Sequence, residues 1–249
     1  MRKLILILAA LGCVGLVGWR VWETKNHQAI PKLPTLVTNK STVQPESSKS
    51  AAFNKNQYPI DQPGSLWWIV NKKRPLTKGY KPEQLVVPNV SLRLSAGSEQ
   101  MKLDKRVAEA LPAMFKAAQS AGLPLTMASG YRSEAYQAQL YNSYVVKDGQ
   151  AAADRYSAKP GTSEHQTGLA LDVCASNSSC ALEQSIGQTA TGQWIASHAH
   201  EYGFIVRYLE GKESVTGYQY EPWHLRFVGV ELAAQLHKSG QTMEEFFGL

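Results

Sequence analysis

The sequence predicts an α+β fold, and three observations carry that prediction. Helical stretches and short β-favouring stretches are interleaved without the regular strand-helix-strand alternation of a parallel α/β sheet. Hydrophobic residues make up 43% of the 249-residue chain and charged residues 18%, an ordinary globular balance. Once the atypical N-terminal stretch is set aside, roughly 190 residues remain, enough for one compact domain to bury its own core without metal or disulfide staples.

The chain opens with Arg2 and Lys3, then "LILILAALGCVGLVGWRVW" from Leu4 to Trp22, broken only by Arg20. That length suits a membrane-spanning helix, and the basic flank predicts a cytoplasmic N-terminus with everything after residue 22 exported. Residues 1–22 are therefore expected to anchor the protein in a membrane with its folded part outside the cytoplasm; a cleaved signal peptide or lipidation at Cys13 are the competing readings. Residues 23–57 are rich in Lys, Pro, Ser, Thr, Asn and Gln, a composition that buries too little apolar surface to offset chain entropy, and read as a flexible linker. Residues 58–249 form the expected domain. The net charge of +6 comes from scattered Lys and Arg, not from a basic run interleaved with aromatics, which argues against nucleic acid and fits a polyanionic surface such as a membrane or cell wall.

Along the domain, "LWWIVNKKRPL" reads as a strand followed by a turn. In "LDKRVAEALPAMFKAAQSAGLPL", Val107, Leu111, Met114 and Ala118 fall at helical spacing, with Asp104 as N-cap, Gly122 at the C-terminal end and Pro112 predicting a kink. "LTMASGY" is a strand running into a turn, and Ser133 caps a helix, "EAYQAQLYNSYVVKDG", that stops at Gly149. "TGQWIASHAHEYGF" is a helix capped by Thr191 and ended by Gly203. "FIVRYL" and "YEPWHLRFV" are strands, and "GVELAAQLHKSG" and "TMEEFFGL" are closing helices, the last with a Thr242 and Glu245 capping box. Cys174 and Cys180, six positions apart across a polar, turn-prone loop in an exported domain, predict a disulfide.

The stretch "GTSEHQTGLALDVC" places Asp172 among Ala170, Leu171 and Val173, in what otherwise reads as a buried strand. An unpaired buried carboxylate costs several kcal/mol, so a partner is required. Of the six histidines, His165 in the preceding loop and His224 in "EPWHLRFV" are the candidates. His165 and Asp172 would stand about 23 Å apart on a straight strand and about 10 Å apart on a helix, both too far for shared metal ligation, so the chain has to fold back, and Gly168 is placed to allow it. Two imidazoles and one carboxylate leave a position open on a tetrahedral zinc, the catalytic pattern. Glu221, three residues before His224, is the candidate general base, turned toward the site with the help of Pro222.

"SGYRS", "SEHQTGLALDV" and "EPWHLRFVG" together resemble the VanY-type D-alanyl-D-alanine carboxypeptidases, zinc peptidases of bacterial cell-wall metabolism. The resemblance runs from about Trp67 to Leu249, with a signature of Ser-x-His-x6-Asp followed by Glu-x-x-His. It implies a single compact domain with a small, mainly antiparallel sheet flanked by helices, as in the hedgehog domain and D-Ala-D-Ala dipeptidases. It further implies one Zn2+ per chain held by His165, Asp172 and His224, with Glu221 as base. Arg132 matches the family arginine that faces the scissile carbonyl and the substrate carboxylate, Ser163 the serine that hydrogen-bonds the substrate terminus, and Gln137 a substrate-pocket position. The implied activity is removal of the C-terminal D-Ala from peptidoglycan stem peptides, at the D-Ala-D-Ala bond of the pentapeptide. L,D-cleavage of the tetrapeptide, cleavage of an internal stem-peptide bond, and a noncatalytic wall-binding or signalling module are the alternatives.

Overall fold

The computed structural model describes residues 53–249, apart from Asn177. The expected membrane segment, residues 1–22, and the linker up to residue 52 lie outside the described residues. Among the described residues, no helix is long and apolar enough to cross a membrane.

In chain order the elements are β1 (Leu85–Val86), β2 (Leu103–Asp104), α1 (Lys105–Ser120), β3 (Leu125–Ser129), α2 (Glu134–Asp148), α3 (Gln150–Tyr156), β4 (Ala170–Ala175), α4 (Ala190–His198), β5 (Phe204–Tyr208), α5 (Glu213–Thr216), β6 (Glu221–Phe227), α6 (Val230–Ser239) and α7 (Met243–Phe247). β1 and β2 pair in a small ribbon, and the main sheet has the order β3-β4-β6-β5 with every neighbour antiparallel. The fold is the expected α+β arrangement.

Alternation along the strands sorts the two faces of the sheet. Leu171 and Val173 of β4, Met127 of β3 and Leu225 of β6 enter one core with Val107, Leu111, Met114 and Ala118 of α1 and Ile195 of α4. Asp172 and His224 point to the other face, where the functional residues gather. The Asp104 side chain accepts from the Arg106 N–H, and α1 runs unbroken through Pro112 to Ser120, with Gly122 in the left-handed region just beyond. Ser133 caps α2 through the Tyr136 N–H, and α7 carries its capping box.

Several local expectations are corrected. "LWWIVNKKRPL" forms no strand, only a bridge between Asn71 and Arg74. Its side chains enter two different clusters, Ile69 with α6 and α7 and Trp68 with Val70 and Leu76, and the Leu66 and Trp68 carbonyls accept from the Arg226 guanidinium instead of a neighbouring strand. α4 is capped by Thr189, whose hydroxyl accepts from Gly192 N–H, not by Thr191, and Gly203 ends the 3-10 turn that follows it. α3 was not expected, because "QAAADRY" carries no apolar periodicity. Phe53 stacks on Tyr58 and stands edge-on to Phe246.

Gly168 reverses the chain between His165 and β4. Its φ is +71°, and a Cβ there would stand 2.9 Å from the Asp104 backbone nitrogen, which donates to the Gly168 carbonyl. Both the conformation and the space favour glycine. Gly168→Ala is expected to lower stability by about 1–3 kcal/mol, read as a reduced urea midpoint; an unchanged midpoint would show that the turn tolerates a side chain.

Candidate functional site

Three separate segments meet over the polar face of the sheet. β4 presents Asp172, and β6 presents His224 directly across the ladder, with the two residues in register. The 3-10 turn Glu164–Thr167 brings His165 beside them. One ligand atom from each residue can be chosen so that all three lie within 4.8 Å of one another, and all three residues are buried.

The atoms involved are set by what else each side chain touches. The Nδ1 of His165 pairs with the Gly130 carbonyl at 2.7 Å, so Nδ1 carries the proton and Nε2 faces Asp172 Oδ1 at 3.4 Å. The Nδ1 of His224 lies 3.5 Å from the same oxygen. Asp172 Oδ2 accepts from the Ser129 hydroxyl and from Arg132 Nη2, each at 2.5 Å, while Oδ1 has no hydrogen-bond partner among the described residues. Donors bound at about 2.0–2.2 Å in a tetrahedron stand roughly 3.3–3.6 Å apart; the two distances from Asp172 Oδ1 to the histidine nitrogens match that spacing, and the three donors together lie within 4.8 Å. The donor set and the orphaned Oδ1 fit a zinc ion.

The electrostatics agree. Burial alone pushes the Asp172 carboxyl up, but His165 and Arg132 beside it outweigh burial and hold it well below the usual carboxylate range. Burial and the Arg132 charge push His165 down to about 4, leaving its Nε2 lone pair free at neutral pH. Glu221 opens β6, buried, with Oε2 3.4 Å from His224 Nδ1. Burial, then the Asp172 charge, push its carboxyl well above the ordinary value. Pro222 sits where the ladder to β5 breaks: the pairs Val206 with Leu225 and Tyr208 with Glu221 leave Pro222, Trp223 and His224 opposite Arg207 alone.

The remaining expected residues line the same cleft, a cavity of about 290 Å³. Arg132 reaches it while its Nη2 holds Asp172 and Ser129. Ser163 is buried immediately before the His165 turn. Gln137 is buried, not solvent-facing; its Nε2 donates to the Ala158 carbonyl at 2.8 Å and its Oε1 has no partner among the described residues. Cys174 and Cys180 are joined in a disulfide, closing the loop that leads to Leu182 on the cleft wall. Sequence reasoning did not single out Ser129, the Gly130 carbonyl, Glu164 or Tyr218. Ser129 and Gly130 are the first two residues of the "SGYRS" motif, but only the β3–β4 register, which sets Ser129 opposite Asp172, and the His165 contact to the Gly130 carbonyl show what they meet.

This fold and site define a carboxypeptidase. The VanY family model, described as D-alanyl-D-alanine carboxypeptidase, matches residues 100–230, and the chain belongs to that family. Among curated relatives, the provisionally named carboxypeptidase YodJ of Bacillus subtilis (strain 168) is 39% identical over 188 residues, 76% of this chain and 69% of its own. Among solved structures, the LdcB LD-carboxypeptidase superposes with a TM-score of 0.71 at 39% identity, over 75% of this chain and 87% of its own. The vancomycin-resistance D,D-pentapeptidase VanY in complex with Zn(II) superposes with a TM-score of 0.61 at 31% identity, over 72% of this chain and 97% of its own.

Because the folded-state pKa of His165 lies below its unfolded value of 6.5, the neutral ring contributes stability that is fully present above 6.5 and lost as the pH falls through about 4. In the metal-free protein, an NMR titration of the His165 ring should show its midpoint near 4; a midpoint near 6.5 would contradict a buried, neutral ligand.

Proposed function

We propose that this chain is a zinc carboxypeptidase that removes the C-terminal D-Ala from peptidoglycan stem peptides. The observation that carries the reading is the convergence of His165, Asp172 and His224 on one unpaired carboxylate oxygen, with the Glu221 carboxylate beside them in an open cleft. Zinc held by these three residues would polarise the scissile carbonyl and acidify water toward neutral pH. Glu221 takes the proton of the attacking water as the new C–O bond forms, and delivers it to the leaving amine as the C–N bond breaks. Its burial beside His224 raises its basicity above that of an exposed carboxylate, as a group that must take up a proton and then release it requires. Arg132 and Ser163, on the cleft wall, are suited to gripping the terminal carboxylate, the guanidinium by charge-assisted hydrogen bonds.

Two bonds end in that D-Ala. The L,D bond of the tetrapeptide is favoured by the greater likeness to LdcB, 39% identity and a TM-score of 0.71 against 31% and 0.61 for VanY. The cleft wall also continues along Tyr144, Lys147 and Asp148, room that a penultimate diamino acid side chain would use. The D-Ala-D-Ala bond expected from the sequence is the second reading, supported by the description of the family. The disulfide supports a location outside the cytoplasm, since such bonds persist in oxidising compartments.

Glu221→Gln should bind zinc as the wild type does and lose turnover by at least about 100-fold, in the range of general acid-base contributions; undiminished turnover would reject Glu221 as the base. Incubating the zinc-loaded protein with muropeptide tetrapeptide and pentapeptide, with and without chelator, and weighing the products decides the bond. Zinc-dependent loss of one alanine from the tetrapeptide is the expected result, loss from the pentapeptide alone would assign the D,D bond, and loss from neither would reject the carboxypeptidase reading.

A further inference from the structure

Behind the metal-type donors lies a second buried cluster that the reaction itself does not use. Glu164, fully inaccessible, accepts at Oε1 from Arg207 Nε at 2.8 Å and from Arg226 Nη1 at 2.9 Å. Arg207 in turn grips Glu244 of α7 with both terminal nitrogens, at 2.8 and 2.6 Å, and Asn71 donates to the same carboxylate at 2.9 Å. Arg226 is tied to the Leu66 and Trp68 carbonyls at 3.0 and 2.9 Å. Two arginines and two glutamates cancel in charge, and the cluster draws on β5, β6, α7 and the segment before β1.

Two atoms in this arrangement are left over. Glu164 Oε2 and His224 Nε2 are both buried, neither has a hydrogen-bond partner among the described residues, and they face each other at 3.8 Å. The other nitrogen of His224, Nδ1, is the one turned toward Asp172 and Glu221. A neutral imidazole has one lone pair and one N–H, so a ring that offers Nδ1 to a cation must carry its proton on Nε2. That proton points into the protein, where water cannot reach it, and a buried donor left unmet carries its full desolvation penalty. The unmatched acceptor across the gap is Glu164 Oε2, and closing less than an ångström of separation makes the bond. His165 already has its counterpart in the Gly130 carbonyl.

We propose that Glu164 is the positioning residue of the metal centre: it accepts the Nε2–H of His224, thereby turning Nδ1 toward the cation, and is itself held in place by Arg207 and Arg226. This rests on the cation site proposed above. Ligating histidines are commonly oriented by a carboxylate in this way, and loss of such partners weakens metal binding by roughly 10–100-fold.

The test uses the full chain with Zn2+ alone, titrated against a chelator, so that turnover is not the readout. Glu164→Gln should weaken zinc binding by roughly 10–100-fold. Glu244→Gln, which disturbs the same ion-pair cluster without touching His224, should lower the melting temperature and leave zinc affinity within about threefold, well short of that loss. Equal affinity in Glu164→Gln and wild type, or equal losses in the two variants, would overturn the proposal. If Glu164→Gln does not fold, the zinc-loaded wild type decides it by NMR: a His224 Nε2–H resonance protected from solvent exchange is expected, and zinc ligated through Nε2 would refute it. A wild type that binds no zinc would overturn the cation-site reading together with this one.

Discussion

A carboxylate placed in the middle of a sheet has to be met on every side, and Asp172 imposes that requirement on this protein. The residue is 1% exposed. One of its oxygens takes a hydroxyl from β3 and a guanidinium from the turn after β3; the other is left for two imidazoles, one from a 3-10 turn and one from β6. The β3–β4 and β4–β6 registers are thus tied to a single side chain. A one-residue slip on β4 would carry Asp172 into the core of Leu171 and Val173 and an apolar side chain into the site. The same alternation that builds the core therefore builds the site.

The Glu164 cluster obeys a related constraint. Burying charges costs desolvation that their mutual attraction need not exceed, so an ion-pair network is weak evidence of stabilisation. What it does supply is direction. Arg226 is bound at once to Glu164 and to backbone carbonyls of the segment before β1, and Arg207 at once to Glu164 and to α7. The irregular N-terminal segment and the C-terminal helix are held to the sheet at one point, directly behind His224. The two buried polar clusters meet at that histidine, one on each ring nitrogen.

Much of this was legible residue by residue. The caps at Asp104, Ser133 and Thr242 depend on side chains two or three positions from the groups they satisfy, and each is found where local spacing put it. The apolar spacing of α1 needed only the helical period. The failures are equally physical. "LWWIV" carries every local mark of a strand, yet its backbone carbonyls are claimed by Arg226, more than 150 residues away. Thr189 and Thr191 were equivalent caps by composition, and tertiary packing chose between them.

The sequence by itself determined the chemistry on offer: two histidines and two carboxylates of the right kinds, a glycine where the chain must reverse, and motif blocks in an order specific enough to name a family. Only the tertiary structure decided which nitrogen of each histidine faces the centre, that Arg132 and Ser129 share one oxygen of Asp172, and that Glu164 stands behind His224. Those are matters of direction between segments tens of residues apart. A side chain's direction follows from register, burial and competing hydrogen bonds, none of which spacing along the chain records.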